Sequence, residues 1–87
     1  MANVWIPALL RDLTGGLEKV SVEGETVAQV ISALDRLYPG IQLRLCEEGK
    51  LRAGMIVVVD GVIRPQKLRQ RLAPSSEVLF LPAVSGG

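Results

Sequence analysis

Apolar and polar positions along the chain fall into short alternating runs on either side of one longer helical stretch. Residues 3–6 alternate, which puts Val4 and Ile6 on one face of a first strand. Pro7 closes it, and residues 8–13 either extend the strand or pack as a loop. Thr14-Gly15-Gly16 is a reversal signal, since glycine reaches the positive φ that tight turns need. Residues 17–23 form a second strand with Val20 and Val22 on one side, so the first two runs read as a hairpin. Gly24-Glu25 interrupts the pattern. Thr26 then caps a helix, and Gln29 reaches back to its first turn as in a capping box. Val27, Val30, Ile31, Leu34, Leu37 and Tyr38 recur at helical spacing as one apolar stripe, and Pro39-Gly40 ends the helix.

Beyond the helix the signals shorten. Residues 41–46 read as a helical turn or an irregular packed segment, and Glu47-Glu48-Gly49-Lys50 as a polar turn. The β-branched run Met55-Ile56-Val57-Val58-Val59 is a third long strand, ended by an Asp60-Gly61 turn. Residues 62–64 suggest a brief fourth strand, and residues 65–72 a basic loop or single helical turn. After a turn at residues 73–76, residues 77–81 form a closing strand. Val78 and Phe80 point one way, Leu79 and Leu81 the other, and both faces are apolar. One helix can cover only one face of a sheet. The second face is therefore expected to expose an apolar patch, unless loops near Leu10 or Leu43 cover it.

The resulting order, two strands, a helix and then further strands, predicts an α+β fold: a mixed four- to five-stranded sheet with one main helix on one face. With 87 residues and 48% hydrophobic content, the chain is expected to form a single folded domain over residues 1–82. Pro82, which has no N–H to donate, is expected to end the last ladder. Residues 83–87, Ala-Val-Ser-Gly-Gly, carry no charged side chain, and their glycines leave the end narrow. Taken alone, such an end also resembles any frayed terminus.

Charge and chemistry narrow the function classes. Ten basic and nine acidic residues give a net charge of +1, which makes no electrostatic case for nucleic acid or membrane. There is no histidine, so the commonest general base and metal ligand is missing. Cys46, the single cysteine, can form neither an internal disulfide nor a metal site by itself, and reads as a small apolar filler ahead of the alternative, a sulfur-handling thiol. No P-loop is present, and the first residues lack the pattern of a signal peptide, so a cytoplasmic chain is expected. The chain is a poor candidate for a self-sufficient enzyme. Arg64, Lys67, Arg69 and Arg71 form a basic cluster that reads either as a solvated face or as a contact for an acidic patch on a partner.

The ending, Phe80-Leu81-Pro82-Ala83-Val84-Ser85-Gly86-Gly87, resembles that of the ubiquitin-like β-grasp sulfur carriers, the ThiS/MoaD family, and the element order matches over the whole length. The opening, Val4-Trp5-Ile6-Pro7-Ala8-Leu9-Leu10-Arg11-Asp12-Leu13-Thr14-Gly15-Gly16, is similar to carriers that serve cysteine biosynthesis. Molybdopterin synthase small subunits more often have Phe-Phe-Pro-Pro before their Val-x-Gly-Gly, where this chain has Leu81 and Ala83.

The resemblance implies a β-grasp fold and a carrier that is not itself an enzyme and binds no cofactor. The Gly87 carboxylate, reached past Gly86, would be adenylated with ATP by an E1-like enzyme and converted to a thiocarboxylate. A second enzyme would accept the sulfur, either a cysteine synthase-like protein or the large subunit of molybdopterin synthase. Leu79, Leu81, Pro82, Ala83, Val84 and Ser85, with Arg64, Lys67 and Arg69, are the expected partner-binding residues. From Ala83 to Gly87 an extended chain spans about 17 Å, enough to enter a buried cleft. An interaction module without tail chemistry and a modifier conjugated to lysines are the readings from other classes.

Overall fold

The first strand, β1 (Ala2–Trp5), lies between two others: β2 (Lys19–Val22) runs antiparallel to it, and the closing strand β7 (Glu77–Pro82) runs parallel. The computed structural model describes residues 1–82. On the far side of β7 lies β5 (Met55–Val59), antiparallel, and beyond it β6 (Val62–Ile63). The mixed sheet therefore has five strands in the order β2-β1-β7-β5-β6. Helix α1 (Val27–Leu37) packs across one face of it, giving the β-grasp architecture. Among the described residues no helix is long and apolar enough to cross a membrane.

Alternation decides the core. Val4, Val22, Val57, Val59, Val78 and Phe80 point to the helix side and are at most 3% exposed. Val27, Val30, Ile31 and Leu34 meet them from α1. Leu37 departs from the expected stripe and is 59% exposed. At 3.6 residues per turn it lies about 80° round the helix from Val27, off the buried arc. Thr26 Oγ1 accepts the Gln29 N–H (3.2 Å), as expected of a cap, but the Gln29 side chain takes the N–H of Glu25 (2.8 Å) rather than that of Thr26.

The segments read ambiguously take definite forms. Residues 8–13 are not strand: a 3₁₀ turn, Ala8–Leu10, buries Leu10 and leaves Leu9 84% exposed. The segment after Pro39-Gly40 is a short helix, α2 (Ile41–Leu45), whose Ile41 and Leu45 join the core. Asp35 Oδ1 accepts the N–H groups of Gly40 (3.1 Å) and Gln42 (3.0 Å) and so ties α2 to α1. What reads as a bare polar turn is the tip of a small hairpin, β3 (Cys46–Glu47) with β4 (Lys50–Leu51). Asp60 and Gly61 both have positive φ (51° and 83°), the geometry of a tight turn matched to strand twist. Residues 65–72 include a 3₁₀ turn, Lys67–Arg69. Pro82 is the last residue of β7 and still lies opposite Met55, so the register runs one residue further than expected. A proline is tolerated there because it stands at the strand's end.

Candidate functional site: the outer sheet face and the end of β7

Because α1 and α2 occupy one face of the sheet, the other face keeps whatever side chains its strands turn outward. The register lines these up. Trp5 is opposite Leu79, Leu79 opposite Val58, and Val58 opposite Ile63, while Ile56 faces Leu81 in the row nearest the end of β7. Trp5 is 38% exposed, Ile63 60% and Leu81 40%; Leu79, Val58 and Ile56 are half-buried by one another. Neither loop that could have covered this face does so. Leu10 is buried in the core, and Leu43 stands 74% exposed on α2.

Trp5 is held in place. Its Nε1–H donates to Glu77 Oε1 (2.9 Å), and the Lys19 ammonium lies 5.2 Å from the ring centroid. Lys19 Nζ is also 3.9 Å from the same carboxylate oxygen. A cation over the ring and a bond at its edge give the indole one orientation, with its remaining surface open to a partner. At the turn end of β7, the Glu77 N–H donates to Asp60 Oδ1 (2.9 Å).

The residues expected to bind a partner fall on two surfaces. Leu79 and Leu81 belong to the outer face, with exposed Pro82 at its edge. Ala83, Val84, Ser85, Gly86 and Gly87 lie outside the described residues. Arg64, Lys67 and Arg69 lie elsewhere. The Arg64 N–H donates to the Val57 C=O (2.8 Å), continuing the ladder one residue past Ile63 and so onto the helix side by alternation. Leu68, between Lys67 and Arg69, packs against the core on that side. Arg71 leaves the cluster to pair with Thr26 at the start of α1.

Reading the sequence missed Trp5, Ile56, Val58 and Ile63 as members of the outer face. Their alternation with buried neighbours was visible, but which strands stand beside β7 was not. Cys46 is half-buried, and burial pushes its thiol up from the ordinary range, with Arg52 only partly opposing this. That holds sulfur as the poorly nucleophilic thiol, in keeping with a packing role.

Residues 4–87 of the chain match the ThiS family. The sulfur carrier protein CysO of Mycobacterium tuberculosis is 43% identical over 90 residues, covering 98% of this chain and 97% of that protein. The crystal structure of M. tuberculosis CysO, an antigen, superposes with a TM-score of 0.89 at 36% identity, over 97% of this chain and 100% of that one. A chain of the Amycolatopsis orientalis BexX/CysO complex superposes with a TM-score of 0.90 at 32% identity, over the full length of both. The chain belongs to the ThiS family and is a homologue of the CysO sulfur carriers.

Proposed function

We propose that this protein carries sulfur as a thiocarboxylate on Gly87 and delivers it in cysteine biosynthesis, acting in the cytoplasm as a protein co-substrate. The observation that carries the reading is the placing of β7. It is central in the sheet, it presents Leu79 and Leu81 on an uncovered apolar face, and its chain continues from Pro82 into Ala-Val-Ser-Gly-Gly. A partner that grips the outer face thereby has the carboxyl end within reach. The CysO homologues support the carrier role, and the BexX/CysO complex supports a mechanism that works by docking on a second protein.

The chemistry follows from the group at the end. A carboxylate is a poor electrophile, so an oxygen of the Gly87 carboxylate attacks the α-phosphorus of ATP in an E1-like enzyme and expels pyrophosphate. Sulfide then attacks the acyl carbon of the adenylate and expels AMP, leaving the thiocarboxylate. If the donor is an enzyme persulfide, its terminal sulfur attacks instead, and a thiol must then cleave the S–S bond to release the same product. The thiocarboxylate sulfur is the nucleophile toward the acceptor, a cysteine synthase-like enzyme. ATP is thus consumed in the partner, and the folded body of residues 1–82 serves to dock and aim residues 83–87.

The test is incubation with the cognate adenylating enzyme, ATP and a sulfide source, followed by intact-protein mass spectrometry. The expected result is exchange of one oxygen for sulfur, mapped to the C-terminal peptide. Deleting Gly87 should abolish the exchange and leave the thermal midpoint unchanged. An unaltered mass, while an established carrier reacts in parallel, would overturn the reading.

A further inference from the structure

Charge is unevenly divided along this nearly neutral chain. Residues 50–76 contain six of the ten basic residues and one of the nine acidic ones, a net of +5, so the remaining sequence, with four basic against eight acidic, carries −4. The fold gathers part of the positive charge round a cleft of about 400 Å³ between the β3–β4 hairpin and the Lys67–Arg69 turn. Lys50 stands on one wall, and Lys67 and Arg69 on the other. Leu51, only 7% exposed, and half-buried Leu68 supply apolar surface between them.

Of the seven cations outside the cleft, four are paired with a carboxylate among the described residues and three, Arg36, Arg64 and Arg71, are not. Arg11, Lys19, Arg44 and Arg52 each lie 3.6 to 3.9 Å from a carboxylate oxygen. Lys50, Lys67 and Arg69 have no such partner among the described residues. Beside the cleft, Arg64 Nε is buried without a hydrogen-bond acceptor among the described residues. Lys67 also holds a φ of 53°, a conformation that side chains other than glycine and asparagine rarely adopt. Across the hairpin the sign of the charge reverses. The cavity between α1, α2 and β3 is rimmed by Asp35, Glu47 and Glu48, and it shares Gly49 and Leu68 with the basic cleft.

We propose that the basic cleft is a second docking contact, separate from the outer sheet face, which receives a short acidic segment of a partner protein with one apolar side chain set between carboxylates. The apolar side chain would lie on Leu51 and Leu68 while the carboxylates meet Lys50, Lys67 and Arg69. A nucleic acid suits the surface poorly, because only three cations line the cleft and the sequence outside residues 50–76, at −4, would repel a phosphate backbone. A segment of the wrong sign would be turned away here and accepted one groove over, so the hairpin fixes the register in which a partner can approach. The proposal takes from the carrier reading only that the partner is a protein. It needs neither the tail nor sulfur chemistry, so either reading can fail without the other.

The test is a titration of the full ¹⁵N-labelled chain with an acetylated, amidated Glu-Asp-Leu-Glu-Asp peptide, with Gln-Asn-Leu-Gln-Asn and inorganic pyrophosphate as parallel arms. Amide shifts should concentrate at Lys50, Leu51, Gln66 and Leu68 with the acidic peptide and be absent with the neutral one. Affinity should fall about tenfold in the Lys67→Gln, Arg69→Gln double variant, and markedly on raising the salt with the wild-type chain, since rim charges are screened. Arg36→Gln, which removes an exposed cation outside both surfaces, should change nothing. Equal binding of the neutral peptide, shifts centred away from the cleft, or pyrophosphate binding as tightly at the same residues would each overturn the proposal.

Discussion

Four neighbouring residues of β7 show how alternation alone assigns opposite roles. Val78 and Phe80 are buried at 0% and 1%, whereas Leu81, next in line, is 40% exposed on the other face. A polar change at Leu81 therefore leaves the core untouched. Leu81→Asp should alter the free protein's stability by no more than about 0.5 kcal/mol, the usual range for surface positions. Its affinity for the adenylating enzyme should drop by about tenfold or more, because a carboxylate pressed against an apolar contact is left without a partner. Leu79→Asp should weaken the same binding, with a lower thermal midpoint as well, since Leu79 is packed between Trp5 and Val58. Paired measurements of midpoint and calorimetric affinity check both. Full affinity in a normally folded Leu81→Asp protein would remove the outer face from the docking surface.

Among the elements, α1 is the one most fully written in the sequence. Thr26, the Val27-Val30-Ile31-Leu34 stripe and Pro39-Gly40 each act within a few residues, and each behaves as its local chemistry dictates. Leu34 is fully buried against the sheet, so Leu34→Ala should cost about 2–5 kcal/mol, seen as a lower denaturant midpoint with an unchanged slope. A wild-type midpoint would mean that the stripe does not face the core. Other elements were illegible for identifiable reasons. The strands of the β3–β4 hairpin have two residues each, too few to show alternation. Gly24 reads as a simple breaker, yet a Cβ there would sit 2.7 Å from Val30 Cγ2 and 2.8 Å from the Val30 backbone nitrogen, because the chain folds back on the first turn of α1, a path the breaker signal does not specify. The parallel pairing of β1 with β7 joins residues more than seventy positions apart, and with it went the membership of the outer face. The chemistry expected of the Gly-Gly ending falls on residues 83–87, outside the described residues, and so stands as the proposal made above.

For the whole molecule the question is how recognition divides between the folded body and the tail. If the last residues sufficed, a peptide ending in Val84-Ser85-Gly86-Gly87 would be adenylated as readily as the protein. It should not be. Ordering each residue of a flexible peptide costs about 1–2 kcal/mol, and a tetrapeptide of small residues has little surface with which to offset that. In the protein the same residues are joined through Ala83 to Pro82, and Pro82 is anchored opposite Met55 at the end of a central strand. The outer face, from Trp5 across Leu79 and Val58 to Ile63, offers apolar area that the peptide lacks, on strands already paired in the free protein. On the proposed function, docking through that face would also raise the local concentration of the tail at the nucleotide, an intramolecular advantage unavailable to a free peptide. The expected outcome is a kcat/KM for the peptide lower by at least about 100-fold, corresponding to roughly 3 kcal/mol of lost recognition. Adding the folded chain with Gly87 removed should inhibit the intact protein, because it still occupies the docking surface, and should leave the peptide reaction no faster. A peptide as reactive as the protein would mean that the enzyme reads only the tail, and that the apolar face serves some other contact.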